Sequence, residues 1–418
     1  MVTDRQRRTL DSAYSGRDNA FNFLRLTFAF AVLVGHSDVL GFGEAGNPFR
    51  LPLDLGGFAV TGFFALSGFL ITRSGRRTPF FRYWWHRGLR IFPGLWVCLL
   101  VSVAVVGPLL WVHGHGGIGG YWSAQKGPLD YFLHNFYADP RQDSIGDILA
   151  GRPNGALNGS LWTLKYELAC YVLVGGLAVV GVLRRARVLV ALMAAAGMAV
   201  IVYDCFRDPQ AVGPLASLAS RFTVPLGGTF LTFQFVVLTT AFLLGATAEL
   251  YRGIVPLNDA LGAASLAAVV AAVHWGLPLL GPALIAYVYL LLWLGIRLPA
   301  VFRRVGRTND YSYGVYIYAF VVQQTLGVYG LPGQGHWVYL GGCALVVLLV
   351  AAASWHLVEK PALKLKDWTP SWARRGVAAD GDTRAAEIAA DLPPAAHPAP
   401  VIPAPRAATA DTAERTGA

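Results

Sequence analysis

The chain has 418 residues, of which 55% are hydrophobic and 14% are charged, and its mean hydropathy is +0.48. Because a soluble domain carries about 25% charged residues, this composition argues against an ordinary soluble protein. The net charge of +10 is also found in nucleic-acid-binding proteins. Here, however, the basic residues lie mostly in alternate short loops between apolar runs, which is the positive-inside pattern of membrane proteins. We therefore expect a lipid bilayer as a partner and no nucleic acid.

Apolar runs of about 16 to 22 residues recur along the chain, as they do in polytopic membrane proteins. They predict an all-α fold with about ten transmembrane helices. The expected spans are, in chain order, about 21–40, 57–72, 91–112, 161–183, 188–204, 227–249, 259–275, 278–296, 311–330 and 338–357. A long segment, about 113–160, is expected on the outer side of the membrane.

Arginine-rich segments orient these spans. The segment from Arg73 to Arg90 holds six arginines and no acidic residue, so we place it in the cytoplasm. The other arginine-rich loops then fall on the same side, and both termini lie in the cytoplasm. We predict an integral protein of the bacterial inner (plasma) membrane.

Three regions are expected along the chain. Residues 1–19 form a polar, basic segment in the cytoplasm, and residues 20–366 form the membrane domain. After about Asp367 the composition changes to alanine and proline with scattered charge. Such a segment cannot bury enough surface to fold, so we predict that residues 367–418 form a disordered tail.

Several familiar ligand motifs are missing from the sequence. The four cysteines lie in or at the edges of apolar spans without the spacing of a metal site or of paired thiols, so we interpret them as small buried hydrophobic residues and predict no metal. The glycine run GHGGIGG is not followed by a helix with a phosphate-binding lysine, which argues against a P-loop. Asn158-Gly159-Ser160 matches a glycosylation sequon. Because the match is short and lies next to the membrane, we do not interpret it as a glycosylation site.

Two ionisable residues, Arg25 and His36, lie in the first expected span. Such residues are costly in hydrocarbon, so they usually face a polar interior and usually have a function. They are eleven residues apart, which is about 16 Å and close to three helical turns, so both lie on roughly the same face. A neutral imidazole can take a proton from an alcohol near neutral pH. His36 is therefore a candidate general base, and a structural histidine is the alternative.

The sequence around His36 does not form a Ser-His-Asp triad. Ser37 and Asp38 follow it directly, and neighbours at i+1 and i+2 on a helix point away from each other. An acidic partner for His36 has to come from another helix.

Glu167 lies a turn or two inside the outer edge of the fourth expected span. A carboxylate at that depth needs a partner. A contact with His36 would fix the tautomer of the imidazole or stabilise an imidazolium ion. A pair with Lys165, or a position facing a solvent-filled cavity, is equally consistent with the sequence.

Arg87 and Arg90 lie one turn apart at the start of the third expected span. Two guanidinium groups on one helical face make a good phosphate clamp. Topology alone explains the other arginines of this segment. Trp162, at the edge of the fourth span, is most simply a residue of the membrane interface.

An ordered set of motifs resembles the acyltransferase 3 family of integral membrane proteins. The segment RLTFAFAVLVGHS has the arginine-to-histidine spacing of that family. It is followed in the expected order by GFFALSGFLIT, RGLRIFP, GSLWTLKYE, YSYGVYIYAFVVQQ and SWHLVEKP. The resemblance covers about residues 20–365.

The resemblance implies an enzyme that moves acyl groups, commonly acetyl, from cytoplasmic acyl-CoA to a hydroxyl. The acceptor would be a carbohydrate, a cell-envelope glycan or a secondary metabolite. Acyl-CoA would be a co-substrate, with no bound cofactor. The residues with implied roles are His36 and Glu167 in catalysis, and Arg25, Arg87, Arg90 and Trp162 in binding of acyl-CoA or substrate.

The ninth span departs from the family pattern at one position. Ala319 stands where many members of the family have a histidine, which weakens any catalytic role for the ninth span.

Buried charge would also suit a transporter or flippase for a glycan or glycolipid. Transporters often contain repeated halves, and the chain has no internal repeat. A purely structural scaffold would give no reason for an arginine in the first span.

Overall fold

The structure, a computed structural model, describes residues 8–14, 16, 18–43, 54–207, 220–224, 228–275 and 283–368. Most of this part of the chain is helical. The helices are Leu10–Ala13 (α1), Phe21–Phe42 (α2), Leu55–Arg77 (α3), Phe80–Val101 (α4), Gly107–His115 (α5), Pro128–Asn135 (α6), Trp162–Val179 (α7), Val182–Arg185 (α8), Val188–Arg207 (α9), Thr232–Leu250 (α10), Asp259–His274 (α11), Ala283–Arg297 (α12), Ala300–Arg304 (α13), Ser312–Val328 (α14), His336–Ser354 (α15) and Lys360–Lys364 (α16). The expected tail, 367–418, lies outside the described residues except at its first two positions.

Six helical segments of the described chain are long and apolar enough to cross a membrane: Phe21–Phe42, Leu55–Arg77, Phe80–His115, Val188–Cys205, Thr232–Leu250 and His336–Lys364. Helices α11 and α12 are apolar but shorter. The four other expected spans coincide with helices α7, α11, α12 and α14. The helical membrane architecture is confirmed, and the count of ten stays a prediction.

The third span begins earlier than the sequence pattern indicated. Helix α3 continues through Arg77 and α4 begins at Phe80, so only Thr78 and Pro79 separate them. Helix α4 then runs through a π-helical segment, Ser102–Val106, into α5. Arg87 and Arg90 therefore lie inside a helix that also carries apolar residues, rather than at the edge of a loop.

The tenth span also ends differently. Helix α15 passes through a π-helical segment, Trp355–Glu359, into α16. Glu359, which lies just beyond the expected end of the tenth span at about 357, is 3% exposed and accepts a hydrogen bond from Ser354 Oγ at 3.0 Å. Its carboxylate therefore belongs to the interior of the helical assembly.

A small hairpin departs from the expected all-α fold. Strands β1 (Arg221–Val224) and β2 (Gly228–Leu231) pair in antiparallel register, with Phe222 opposite Phe230. Their rings stack with centroids 5.4 Å apart. The backbone N–H of Leu231 donates to the hydroxyl of Tyr166 in α7 at 2.9 Å, which attaches the hairpin to that helix.

Close backbone packing joins α3 to α10. A Cβ atom at Gly68 of α3 would overlap the carbonyl oxygen of Phe242, and one at Gly245 of α10 would overlap that of Ala65. Small residues at such positions allow membrane helices to approach closely. Glycine at both positions therefore lets the two helix backbones touch.

Helix α14 lies in the centre of the assembly. Every residue from Ser312 to Gln324 is buried, and the helix packs against α2 and α15. Gln323 donates to the backbone carbonyl of Leu33 in α2 at 2.9 Å. The polar side chains described next are arranged along this central helix.

The segment between α5 and α7 is folded rather than a featureless loop. Asn135 of α6 donates to the carbonyl of Gln142 at 2.9 Å, and its Oδ1 accepts from the backbone N–H groups of Arg141 and Gln142 at 2.9 and 3.2 Å. Arg152 donates to the carbonyl oxygen of Leu40, near the end of α2, at 2.6 Å. The segment is thereby anchored to the helix that carries His36.

Candidate active site

Asp310 lies just before the start of α14 and forms ion pairs with two arginines. Its Oδ2 accepts from Arg25 Nη1 at 3.0 Å and from Arg90 Nη2 at 2.7 Å. Its Oδ1 accepts from the backbone N–H and the hydroxyl of Ser312 at 3.2 and 2.6 Å. Burial alone would raise the pKa of Asp310, but the charges of Arg90 and Arg25 and the bonds from Ser312 hold it well below its ordinary value.

Sequence reasoning did not single out Asp310. Its position two residues before a serine at the start of an apolar helix is a local signal, because Asp side chains commonly bond a backbone N–H two residues on. Its pairing with Arg25 and Arg90, which lie 285 and 220 residues away, has no local signal.

A small cavity of about 40 Å³ lies next to Arg25. It is large enough for water and far smaller than a ligand pocket of about 300–1,000 Å³. Helices α2, α3, α7 and α14 all contribute to its wall. The side chains with polar groups that line it are Arg25, Ser67, Thr163, Glu167, Ser312, Tyr313 and Tyr316.

Glu167 lines this cavity and accepts a short hydrogen bond from the hydroxyl of Tyr171. Within the described residues no hydrogen bond or ion pair joins it to His36. Lys165 lies 3.4 Å from Asp139 and donates to the carbonyl of Thr229 at 2.6 Å. The sequence left three arrangements open for Glu167. In the structure, Glu167 faces a cavity.

Arg87 and Arg90 have different surroundings although they lie one turn apart. The guanidinium carbon of Arg87 is 5.7 Å from the ring centre of Tyr171 and 6.0 Å from that of Tyr83. Arg90 instead pairs with Asp310 and interacts electrostatically with Glu359. A phosphate clamp formed by these two residues stays a prediction.

Trp162 is the first residue of α7, and its ring meets that of Tyr166 edge to face at 5.5 Å. It is not among the residues that line the cavity. In the described part of the chain, no cluster of three or more His, Cys, Asp or Glu residues could hold a metal ion.

His36 lies on α2, which packs against α14. Its ring meets that of Phe320 edge to face, with 5.1 Å between centroids. Its Nδ1 is buried and has no hydrogen-bond partner among the described residues. Gly35 beside it lets α2 approach the start of α3, because a Cβ there would lie 3.0 Å from the backbone nitrogen of Gly56.

Helix α14 extends from the cavity beside Arg25 to the ring that contacts His36. Ser312 and Tyr316 line the cavity beside Arg25, and Phe320 contacts His36 one turn further on. Phe320 lies eight residues beyond Ser312, which is a rise of about 12 Å along the helix. The Tyr316 hydroxyl donates to the carbonyl of Ser160 at 3.0 Å, so the start of α7 borders the same path.

Comparisons with known proteins place the chain in a family of acyltransferases. The acyltransferase domain of the acyltransferase 3 family matches residues 18–355. An O-acetyl transferase of Shigella phage Sf6 is 28% identical over 358 residues, which cover 82% of this chain and 96% of the phage protein. Nodulation protein 10 of Rhizobium leguminosarum bv. viciae is 28% identical over 384 residues, which cover 84% of this chain and 95% of that protein. No solved structure gives a significant match.

The matched region contains Arg25, His36, Arg90, Glu167 and Asp310, which form the polar groups described above. It covers more than half of the chain, and several helices of the described residues are long and apolar enough to cross a membrane. The chain therefore belongs to the acyltransferase 3 family of integral membrane proteins.

Proposed function

We propose that this protein transfers an acetyl group from cytoplasmic acetyl-CoA to a hydroxyl of a carbohydrate, a cell-envelope glycan or a secondary metabolite. The phage relative is named an O-acetyl transferase, which supports acetyl as the transferred group. No part of the proposal requires a metal or a bound cofactor.

One observation carries the proposal. A line of side chains, polar as far as Tyr316, runs from the arginines at Asp310 past the cavity beside Glu167, and continues through the Phe320 ring to His36. At its end the imidazole has a buried Nδ1 without a hydrogen-bond partner among the described residues. A buried polar atom that lacks a partner is rare in folded proteins and is commonly satisfied by a ligand or by water.

The donor would bind at the arginine end of this line. A guanidinium group has five N–H donors, and among the described residues Arg25 and Arg90 each give one of them to Asp310. The remaining donors can bind phosphate oxygens of CoA. The rise from Arg25 to His36 is about 16 Å, which is comparable with the length of the pantetheine arm that carries the thioester.

The chemistry would take place at His36. The neutral imidazole accepts the proton of the acceptor hydroxyl as the oxygen attacks the thioester carbonyl. A C–O bond forms, the C–S bond breaks, and the CoA thiolate takes the proton from the imidazolium ion. A route through an acyl-imidazole, in which His36 first attacks the thioester and the hydroxyl then displaces it, uses the same groups.

Glu167 would act on the donor side rather than as a direct partner of His36. Its carboxylate shares the cavity with Arg25, so it balances the positive charge of the arginines there. The hydrogen bond from Tyr171 fixes its orientation.

Radiolabelled acetyl-CoA tests the proposal with purified protein in proteoliposomes. The glycan and lipid fraction of the producing cells serves as acceptor. We expect label in the acceptor fraction and none with protein-free liposomes. Movement of unmodified acceptor across the bilayer without label transfer would contradict the proposal and favour a transporter.

A further inference from the structure

The Asn-Gly-Ser turn before α7 carries two buried oxygen atoms that have no hydrogen-bond partner in the described part of the chain. Asn158 is 6% exposed and Ser160 is 1% exposed. Asn158 Oδ1 and Ser160 Oγ accept or donate no hydrogen bond among the described residues. The turn also matches a glycosylation sequon, but that match does not explain why its polar atoms are buried.

The rest of the turn is held firmly. The amide nitrogen of Asn158 donates to the carbonyl of Ile317 in α14 at 2.9 Å. The carbonyl of Ser160 accepts from the Tyr316 hydroxyl at 3.0 Å. The two unpartnered oxygens therefore belong to a segment that is fixed on both sides.

The turn and His36 meet at one aromatic ring. A Cβ at Gly159 would lie 2.6 Å from the Phe320 ring, so the turn rests on that side chain. The same ring contacts His36 with centroids 5.1 Å apart. His36, Asn158 and Ser160 each carry one buried polar atom without a partner among the described residues: Nδ1, Oδ1 and Oγ, respectively. His36 contacts the Phe320 ring, and Asn158 and Ser160 flank the glycine that packs against it.

We propose that Asn158 and Ser160 form the subsite that recognises the acceptor as a polyol. One acceptor hydroxyl faces His36 and reacts, and a neighbouring hydroxyl donates to Asn158 Oδ1 and exchanges a hydrogen bond with Ser160 Oγ. A site whose buried polar groups are completed by a substrate hydroxyl discriminates strongly against an analogue that lacks it. This inference rests on the proposed function and names the class of its acceptor.

Ser160→Ala is the sharpest variant for a test. It removes the unpartnered Oγ and keeps the backbone carbonyl that binds Tyr316. Ser102→Ala is the matched control, because Ser102 is also buried, at 1% exposure, and its Oγ is already bonded to the carbonyl of Cys98. Octyl glucoside serves as the polyol acceptor and 1-octanol as the acceptor with a single hydroxyl, with radiolabelled acetyl-CoA as donor.

We expect the wild-type protein to prefer octyl glucoside over octanol at least tenfold in kcat/KM. Ser160→Ala should raise the KM for octyl glucoside and remove most of that preference, with the KM for acetyl-CoA unchanged, whereas Ser102→Ala should keep the preference. An unchanged preference in Ser160→Ala would overturn the inference, as would a change only in the KM for acetyl-CoA. A wild type that labels the cell glycan fraction but does not prefer octyl glucoside over octanol would also overturn it. Failure of the proposed function is a separate result, since the wild type would then label no acceptor, including the cell glycan fraction.

Discussion

Arg25 and Asp310 are 285 residues apart in the sequence, and their side chains form an ion pair with 3.0 Å between Nη1 and Oδ2. Arg90 donates to the same carboxylate oxygen at 2.7 Å. One acidic residue therefore joins α2 and α4 to the start of α14. It also accepts one hydrogen bond from each of the two guanidinium groups.

Asp310→Asn should destabilise the protein by about 3 kcal/mol, because it removes the carboxylate that forms ion pairs with two mostly buried arginines. The side chains of Asp310 and Arg90 are 12% and 16% exposed, so solvent screens the pair only weakly. Thermal unfolding in detergent measures the loss. Asp18→Asn is the control, because its pair with Arg303 is half exposed and should contribute less than about 1 kcal/mol. Equal midpoints for the two variants would contradict the role of Asp310.

The difference in stability between the wild type and Asp310→Asn should not depend on pH near neutrality. Against the effect of burial, Arg90 and Arg25 lower the pKa of Asp310 in the folded protein. A group with a depressed folded pKa contributes stability above its unfolded pKa, about 4, and loses it as the pH falls toward the folded pKa. The difference in unfolding temperature between wild type and Asp310→Asn should stay constant from pH 8 to pH 5. A difference that already shrinks between pH 7 and pH 5.5 would show that the carboxyl is not held ionised.

Gly68→Ala should lower stability by about 1–3 kcal/mol, because the added methyl group overlaps the backbone of Phe242 and forces α3 and α10 apart. The unfolding temperature in detergent is the measurement. Gly176→Ala on α7 adds the same methyl group with no heavy atom within 4 Å. We expect that control to be neutral or slightly stabilising, since alanine favours a helix over glycine. Similar losses for both variants would refute the close approach of α3 and α10.

Gly159→Ala should lower kcat about 10- to 100-fold, since small displacements near a reacting group have large effects on rate. The new Cβ would lie 2.6 Å from the Phe320 ring, which must move toward or away from His36. Acetyl transfer at saturating donor measures the effect. Gly155→Ala is the matched control, because a Cβ there meets nothing within 4 Å. Full activity of Gly159→Ala would mean that the contact between Phe320 and His36 does not matter for turnover.

The sequence was sufficient for the features that depend on local pattern. Apolar runs revealed the long helices, and the helical spacing of Arg25 and His36 placed both on α2. The start of α4 at Phe80 was missed because its first three turns are rich in arginine and tryptophan. Charge patterning marked that stretch as a loop, although the side chains of a helix can carry the same charges at the membrane interface.

The contacts between distant residues could not be read from the sequence. The burial of Glu359 depends on how α15 passes through its π-helical segment against α4. A contact between Glu167 and His36 was one expectation, but the packing of α7 against α3 and α4 places Glu167 in the cavity beside Arg25. The hairpin of β1 and β2 was missed because its short strands lie next to a long apolar run.

His36→Ala is the most direct test of the proposed chemistry. We expect acetyl transfer to fall by about 10²- to 10⁴-fold, as when a general base is lost, while the protein inserts and unfolds at the wild-type temperature. His134→Ala is the control, because His134 lies on α6, bonds only the carbonyl of Asp130 among the described residues, and should keep full activity. Normal turnover by His36→Ala in the radiolabelled acetyl-CoA assay would contradict the assignment of His36 as the reacting base.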